Sequence, residues 1–149
     1  MNRAWTFIIN KQLSPEQLAA MKEAGNSFVQ GWTAHEQKLS GGFDIFNDRI
    51  IIFKVNEEAT AASGCSIDKL TRFIKQLETD FGIELMNRLL VAYKKDGKTE
   101  VAHSSNIKNL LADGELTENT PVYNTAISNQ DELSNWEQPL KNTWLKKYL

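Results

Sequence analysis

The sequence is poor in the residues from which cross-links and reactive centres are made. Its 149 residues include one cysteine, two histidines and three prolines. A single thiol forms no internal disulfide, which argues against a secreted fold held by cross-links. One cysteine and two distant histidines supply no pair at zinc-ligand spacing, so no metal site is expected. No apolar run approaches the roughly 20 residues of a membrane span. The opening stretch "MNRAWTFIINKQLSPEQ" has a short apolar core and no small-residue cleavage pattern, so it does not read as a signal peptide. Charge of one sign is scarce too. The net charge is −2 with acids and bases intermixed, which gives no footprint for nucleic acid or an anionic membrane. The expectation is a cytoplasmic chain with no cofactor and neither nucleic acid nor membrane as partner.

What is present is patterned for one α+β domain spanning residues 1–149. "WTFII" (Trp5 to Ile9) reads as a buried strand. "LSPEQ" then starts a helix, with Ser14 as N-cap, Pro15 in the first turn and Gln17 closing a capping box. Leu18, Met21, Gly25, Phe28, Val29 and Trp32 recur at helical spacing, and Gly25 on that face suggests close packing. Phe43 to Val55 reads as a hairpin turning at Asn47-Asp48, its second arm well buried. Ile67, Leu70, Phe73, Ile74, Leu77 and Phe81 mark a second helix, closed by Gly82 as a left-handed cap. Asp96-Gly97 predicts a tight hairpin turn. A short helix through Ile107, Leu110 and Leu111, a strand in "TPVYNTAI", and a tail helix carrying Leu133, Trp136, Leu140, Trp144 and Tyr148 complete the order. The expectation is a mostly antiparallel sheet of about six strands with helices packed on it. Its first six elements take the ferredoxin-like order βαββαβ, and a βαβα extension follows.

Three fragments imitate nucleotide-hydrolase motifs: "AYKKDGKT" (Ala92 to Thr99), "LSGG" (Leu39 to Gly42) and "IIIFKVNEE" (Ile50 to Glu58). A phosphate-binding loop needs flexible backbone leading into a helix whose amides face the anion. Here Asp96-Gly97 predicts a hairpin and "TEVAH" a strand, so ATP hydrolysis is not expected. "WTAHEQKL", "DRIIIFKVNEEATAASGCSIDK" and "FGIELMNRLLVAY" resemble a family of small uncharacterised bacterial proteins, some of which carry the label ABC transporter ATPase. The similarity runs from about Trp5 to His103, and "ASGCSID" is its most specific part. The resemblance implies a stand-alone cytosolic domain and supplies no mechanism. Asn56 and Glu36 depart from that family's pattern.

The chemistry-bearing residues gather at one junction. Ser63-Gly64-Cys65-Ser66 leads into the second helix, which brings a thiol and two hydroxyls to unpaired amides and the positive end of the helix dipole. With Ser63 or Ser66 as the cap, an anion could bind there; Asp68, read as a first-turn acid, would oppose it. The leading expectation is non-catalytic binding of a small anionic molecule or a partner's terminus at Ser63–Ser66, with Arg49, Arg88 and His35 as co-ligands. A second is a Cys65-dependent enzyme or redox sensor with His35 and Asp68 as catalytic partners. A third is an interaction module built on the aromatic tail. The plain alternative at the junction is architecture: small residues at a crowded crossover and a conventional cap.

Overall fold

The computed structural model describes residues 2–57 and 60–149. Three antiparallel strands form the first sheet: β1 (Asn2–Ile8), β4 (Ser40–Phe46) and β5 (Ile50–Asn56), in the order β1-β5-β4. Between β1 and β4 run helix α1 (Pro15–Gln30) and a small hairpin, β2 (Thr33–Ala34) with β3 (Gln37–Lys38). Helix α2 (Gly64–Phe81) follows β5. A second antiparallel sheet, ordered β7-β6-β8-β9, is built from β6 (Leu90–Lys95), β7 (Lys98–His103), β8 (Pro121–Tyr123) and β9 (Glu137–Pro139). The short helix α3 (Ile107–Ala112) lies between β7 and β8. The architecture is thus α+β with antiparallel sheets, and no described helix is long and apolar enough to cross a membrane.

The layers follow from strand alternation, since successive side chains leave a strand on opposite faces. Ile51, Phe53 and Val55 of β5 pack with Met21 and Val29 of α1 and with Leu70, Ile74 and Leu77 of α2. Their neighbours Ile50 and Ile52 join Ile8 on the other face, against Ala92 and Tyr123 of the second sheet and Trp136 just before β9. Beyond that sheet, Val91, Tyr93 and Val122 pack against Ile107, Leu116, Leu140 and Leu145. A strand covered on both faces needs a continuous apolar run rather than an alternating one, and "IIIF" is that run.

Local signals set the turns. Ser14 and Gln17 form the reciprocal capping box that opens α1. Asn47 and Asp48 take φ of 48° and 63°, as do Asp96 and Gly97 at 51° and 77°, the positive values a primed hairpin turn requires. The phosphate-loop-like fragment is therefore a β6–β7 hairpin turn with no helix after it. Glu58, the last residue of the "IIIFKVNEE" fragment, lies outside the described residues.

Three expectations differ from what is found. The expected single sheet of about six strands is divided into two sheets of three and four strands, with a separate two-stranded hairpin, because β5 buries both its faces and a second sheet packs on the one away from α1 and α2. In a ferredoxin-like unit the strand after α2 would lie beside β1; here β6 pairs with β7 and β8 instead. The long loop after Gly82 carries the chain across, held by Glu78, whose carboxylate accepts from the amides of Leu85 at 2.8 Å and Met86 at 3.3 Å. The tail also departs from its helical reading. It forms a 3-10 helix over Gln130–Asn135, then β9, then 3-10 turns at Leu140–Asn142 and Trp144–Tyr148. Pro139, which has no N–H to donate, ends the edge strand β9 opposite Pro121.

Candidate functional site

The entrance of α2 is largely self-satisfied. Ser63 is the N-cap: its hydroxyl accepts from the amide of Ser66 at 3.2 Å, while the amide of Ser63 donates to the Ser66 hydroxyl at 2.7 Å. That hydroxyl in turn donates to the Ser63 carbonyl at 2.8 Å, and Ser66 is fully buried. The amide of Ile67 donates to the same carbonyl at 3.0 Å. One residue before the cap, the amide of Ala62 donates to the carboxylate of Glu57 at 2.8 Å, so an anion already sits against this end of the chain turn. What remains open is Gly64 and Cys65, both exposed. Asp68 is the fifth residue of α2, beyond the first turn where the sequence reading put it, and is exposed.

The co-ligands expected at this turn are spread over the molecule. His35 sits at the tip of the β2–β3 hairpin with φ of 52°. The hairpin itself lies beside α2, where the Lys69 ammonium donates to the Thr33 hydroxyl at 2.9 Å. Among the described residues no hydrogen bond links His35, Cys65 and Asp68. Arg49 is at the opposite end of β5 from the entrance: Trp32, which donates to the Ser66 carbonyl, packs over Gly41, whose partner on β5 is Val55. Seven strand residues span about 20 Å. The Arg49 guanidinium donates to the Ile9 carbonyl at 3.2 Å, and its Nε is buried without a partner. Burial pulls its pKa down and the carboxylate of Glu100 pulls it back. Arg88 lies beyond the far end of α2, whose 18 residues measure about 27 Å. No group of three or more His, Cys, Asp and Glu among the described residues is placed to hold a metal ion.

Arg88 belongs to a different place: a cleft of about 490 Å³ at the seam between the sheets. Its floor is β1, from Trp5 to Ile8. One wall is Leu85–Arg88 and the other Asn124–Ile127, with Trp144 at the rim. Arg88 is the only charged residue lining it among the described residues. Glu78 clamps the first wall through the two amides named above. The second is held by Asn124, whose amide donates to the Trp136 carbonyl at 2.7 Å, and by the Thr6 hydroxyl, which donates to the Thr125 carbonyl at 2.9 Å.

The floor is an open strand edge. Among the described strands β1 pairs with β5 alone, with Ile9 donating to the Arg49 carbonyl at 2.8 Å, and its other edge carries one isolated bridge, Arg3 with Asn129. That parity directs the backbone groups of Trp5 and Phe7 to β5 and those of the even residues outward. Outward-facing Ala4 donates to the Ser128 carbonyl at 3.3 Å, and Asn10 to the Glu84 carbonyl at 3.2 Å. Thr6 and Ile8, between them, meet no neighbouring backbone among the described residues. The large apolar side chains left exposed, among those described, are Met86, Leu89, Trp144 and Leu149, at 42, 55, 55 and 60 %. Met86 and Trp144 line the cleft, and Leu89 follows Arg88. Scattered exposure is ordinary; exposure gathered around one concavity marks a binding surface.

No family model, curated protein or solved structure matches the chain. The site therefore rests on its own geometry. The sequence points to Arg88 and Trp144 separately, and it places Asn124–Ile127 in the second half of a strand that in the structure ends at Tyr123. The available signal was "ELMNRLL", where Met86 and Leu89 interrupt the polar character expected of a loop.

Proposed function

We propose that this protein is a non-catalytic binding domain whose ligand enters the cleft between β1, Leu85–Arg88 and Asn124–Ile127. The ligand carries a carboxylate or similar anion, which Arg88 meets, and an apolar part that rests on Met86 and Trp144. This keeps the class of ligand expected from sequence, a small anionic molecule or a partner's terminus, and moves it from the helix entrance to the sheet seam. One observation carries the reading: among the described residues a single charged side chain, Arg88, stands in the cleft beside exposed apolar side chains, over strand backbone that no neighbouring segment pairs. A concave, mainly apolar site with few convergent polar groups is the usual form of a ligand pocket.

The test is a carboxylate fragment library screened by amide chemical-shift mapping on the intact chain. The expected shifts fall on Thr6, Ile8, Met86 and Arg88 and vanish in Arg88→Glu. Shifts confined to Gly64 and Cys65, or hits indifferent to Arg88→Glu, would reject the cleft.

A second reading uses Cys65. Its exposure at the second position of α2 favours a reactive or sensing role over inert packing. The tail-module reading merges with the first, because Trp144 of the tail rims the cleft.

A further inference from the structure

We infer that the cleft takes an extended peptide, added as a strand to the open edge of β1 and ending in a free carboxylate at Arg88. The inference rests on the proposal that the cleft binds a ligand, and it names that ligand's chemistry.

Outward donors alternate along β1, and the chain pairs those at its two ends, Ala4 with Ser128 and Asn10 with Glu84. The two between them, Thr6 and Ile8, line the cleft, and the same parity turns their N–H and C=O groups away from β5. A strand edge is a template for another backbone, and proteins normally blunt it with charge, proline or a covering segment. Here the flanking segments close on both ends of the edge and splay apart over its middle. The Thr6 side chain, not its backbone, reaches the Thr125 carbonyl. A rigid small anion would satisfy Arg88 and leave two amides and two carbonyls unmatched. An extended peptide satisfies both, since its own N–H and C=O groups repeat at the spacing of the edge.

The side walls add selectivity. In an added strand alternate side chains face opposite ways. Those turned outward would lie along Met86 and Trp144, and Arg88 supplies the fork that matches a carboxylate. Among the described residues no acidic side chain lines the cleft to repel a negatively charged terminus. The partner is therefore the apolar carboxyl-terminal segment of another protein.

The test pans random heptapeptides displayed with free carboxyl termini against the full chain. Enriched sequences are then synthesised for fluorescence polarisation and amide exchange. The expected result is enrichment of apolar termini whose affinity falls about tenfold or more on C-terminal amidation and in Arg88→Gln, the scale of a lost charged hydrogen bond. Bound peptide should also slow exchange of the Thr6 and Ile8 amides. Thr6→Pro removes an outward donor without touching the β1–β5 ladder and should abolish binding; if that variant fails to fold, exchange in the unaltered protein decides alone. No enrichment over the Arg88→Gln variant, equal affinity for the amidated peptide, or unprotected Thr6 and Ile8 amides overturns the inference. Carboxylate fragments that shift Arg88 while peptides leave those amides unprotected would keep the binding reading and end strand addition.

Discussion

The indole N–H of Trp32 donates to the Ser66 carbonyl at 2.8 Å, across 34 residues of sequence. This one bond joins the end of α1 to the first turn of α2, and it is buried. The Trp32 ring also meets Phe28, Phe53 and Trp5. Trp32→Phe keeps most of the ring contacts and removes the donor. The expected cost is about 1–3 kcal/mol from the bond and the lost ring volume. Urea unfolding checks it; a midpoint equal to the parent's would show that the bond contributes nothing net.

Gly25 is on the buried face of α1 because Phe43 occupies the space a side chain would take. A methyl group there overlaps the Phe43 ring. Alanine gains about 1 kcal/mol of helix propensity over glycine. Overpacking costs about 1–3 kcal/mol. Gly25→Ala is expected to be destabilising on balance, and Gly25→Ala with Phe43→Leu to recover part of the loss. If Gly25→Ala alone raises the melting temperature, Phe43 has room to move that the packing does not suggest.

Acid should loosen the second wall of the cleft. The Glu132 carboxylate accepts from the Ser128 amide at 3.0 Å, the Ser128 hydroxyl at 3.2 Å and the Asn129 amide at 3.3 Å. These bonds, the Ser128 amide's foremost, hold its pKa below the ordinary 4.5. A carboxyl whose folded pKa is depressed contributes stability above its unfolded value and loses it as pH falls through the folded one. Because the Ser128 carbonyl pairs with Ala4, the loss reaches β1. Exchange of the Ala4 amide should accelerate below about pH 4.5 relative to Glu132→Gln, whose side chain does not titrate there. Parallel pH profiles in the two proteins would contradict it.

Cys65 is open to solvent while its neighbour Ser66 is sealed. Ellman's reagent should therefore label one thiol per chain without denaturant. Cys65→Ala should change stability by no more than about 0.5 kcal/mol, as is usual at surface positions. A thiol that reacts only after unfolding would show that this turn is closed in solution.

Elements whose cause lies within a few residues were legible in the sequence. Ser14 with Gln17, Gly82 with φ of 61°, and the Asn47-Asp48 and Asp96-Gly97 turns each act through their own backbone or the next turn of chain. The His35-Glu36 hairpin was not legible. Both residues take positive φ without the glycine or asparagine that usually announces it, and Trp32 and Leu39 hold it from either side, with Leu39 donating to the Trp32 carbonyl at 2.9 Å. The tail misled for a related reason. Its apolar spacing suits a helix, yet Trp136 and Leu140 serve different cores on the two faces of the second sheet.

By itself, then, the sequence determined α1, α2, the hairpins at Asn47-Asp48 and Asp96-Gly97 and the α+β class, since capping, positive φ and apolar period are short-range effects. Only the tertiary structure decided that the second neighbour of β6 would be β8 and not β1. It also carried Arg88 away from Cys65 and left the outward backbone of Thr6 and Ile8 without a partner among the described residues, because strand partnership depends on how the packed layers share their faces. No residue encodes that choice alone.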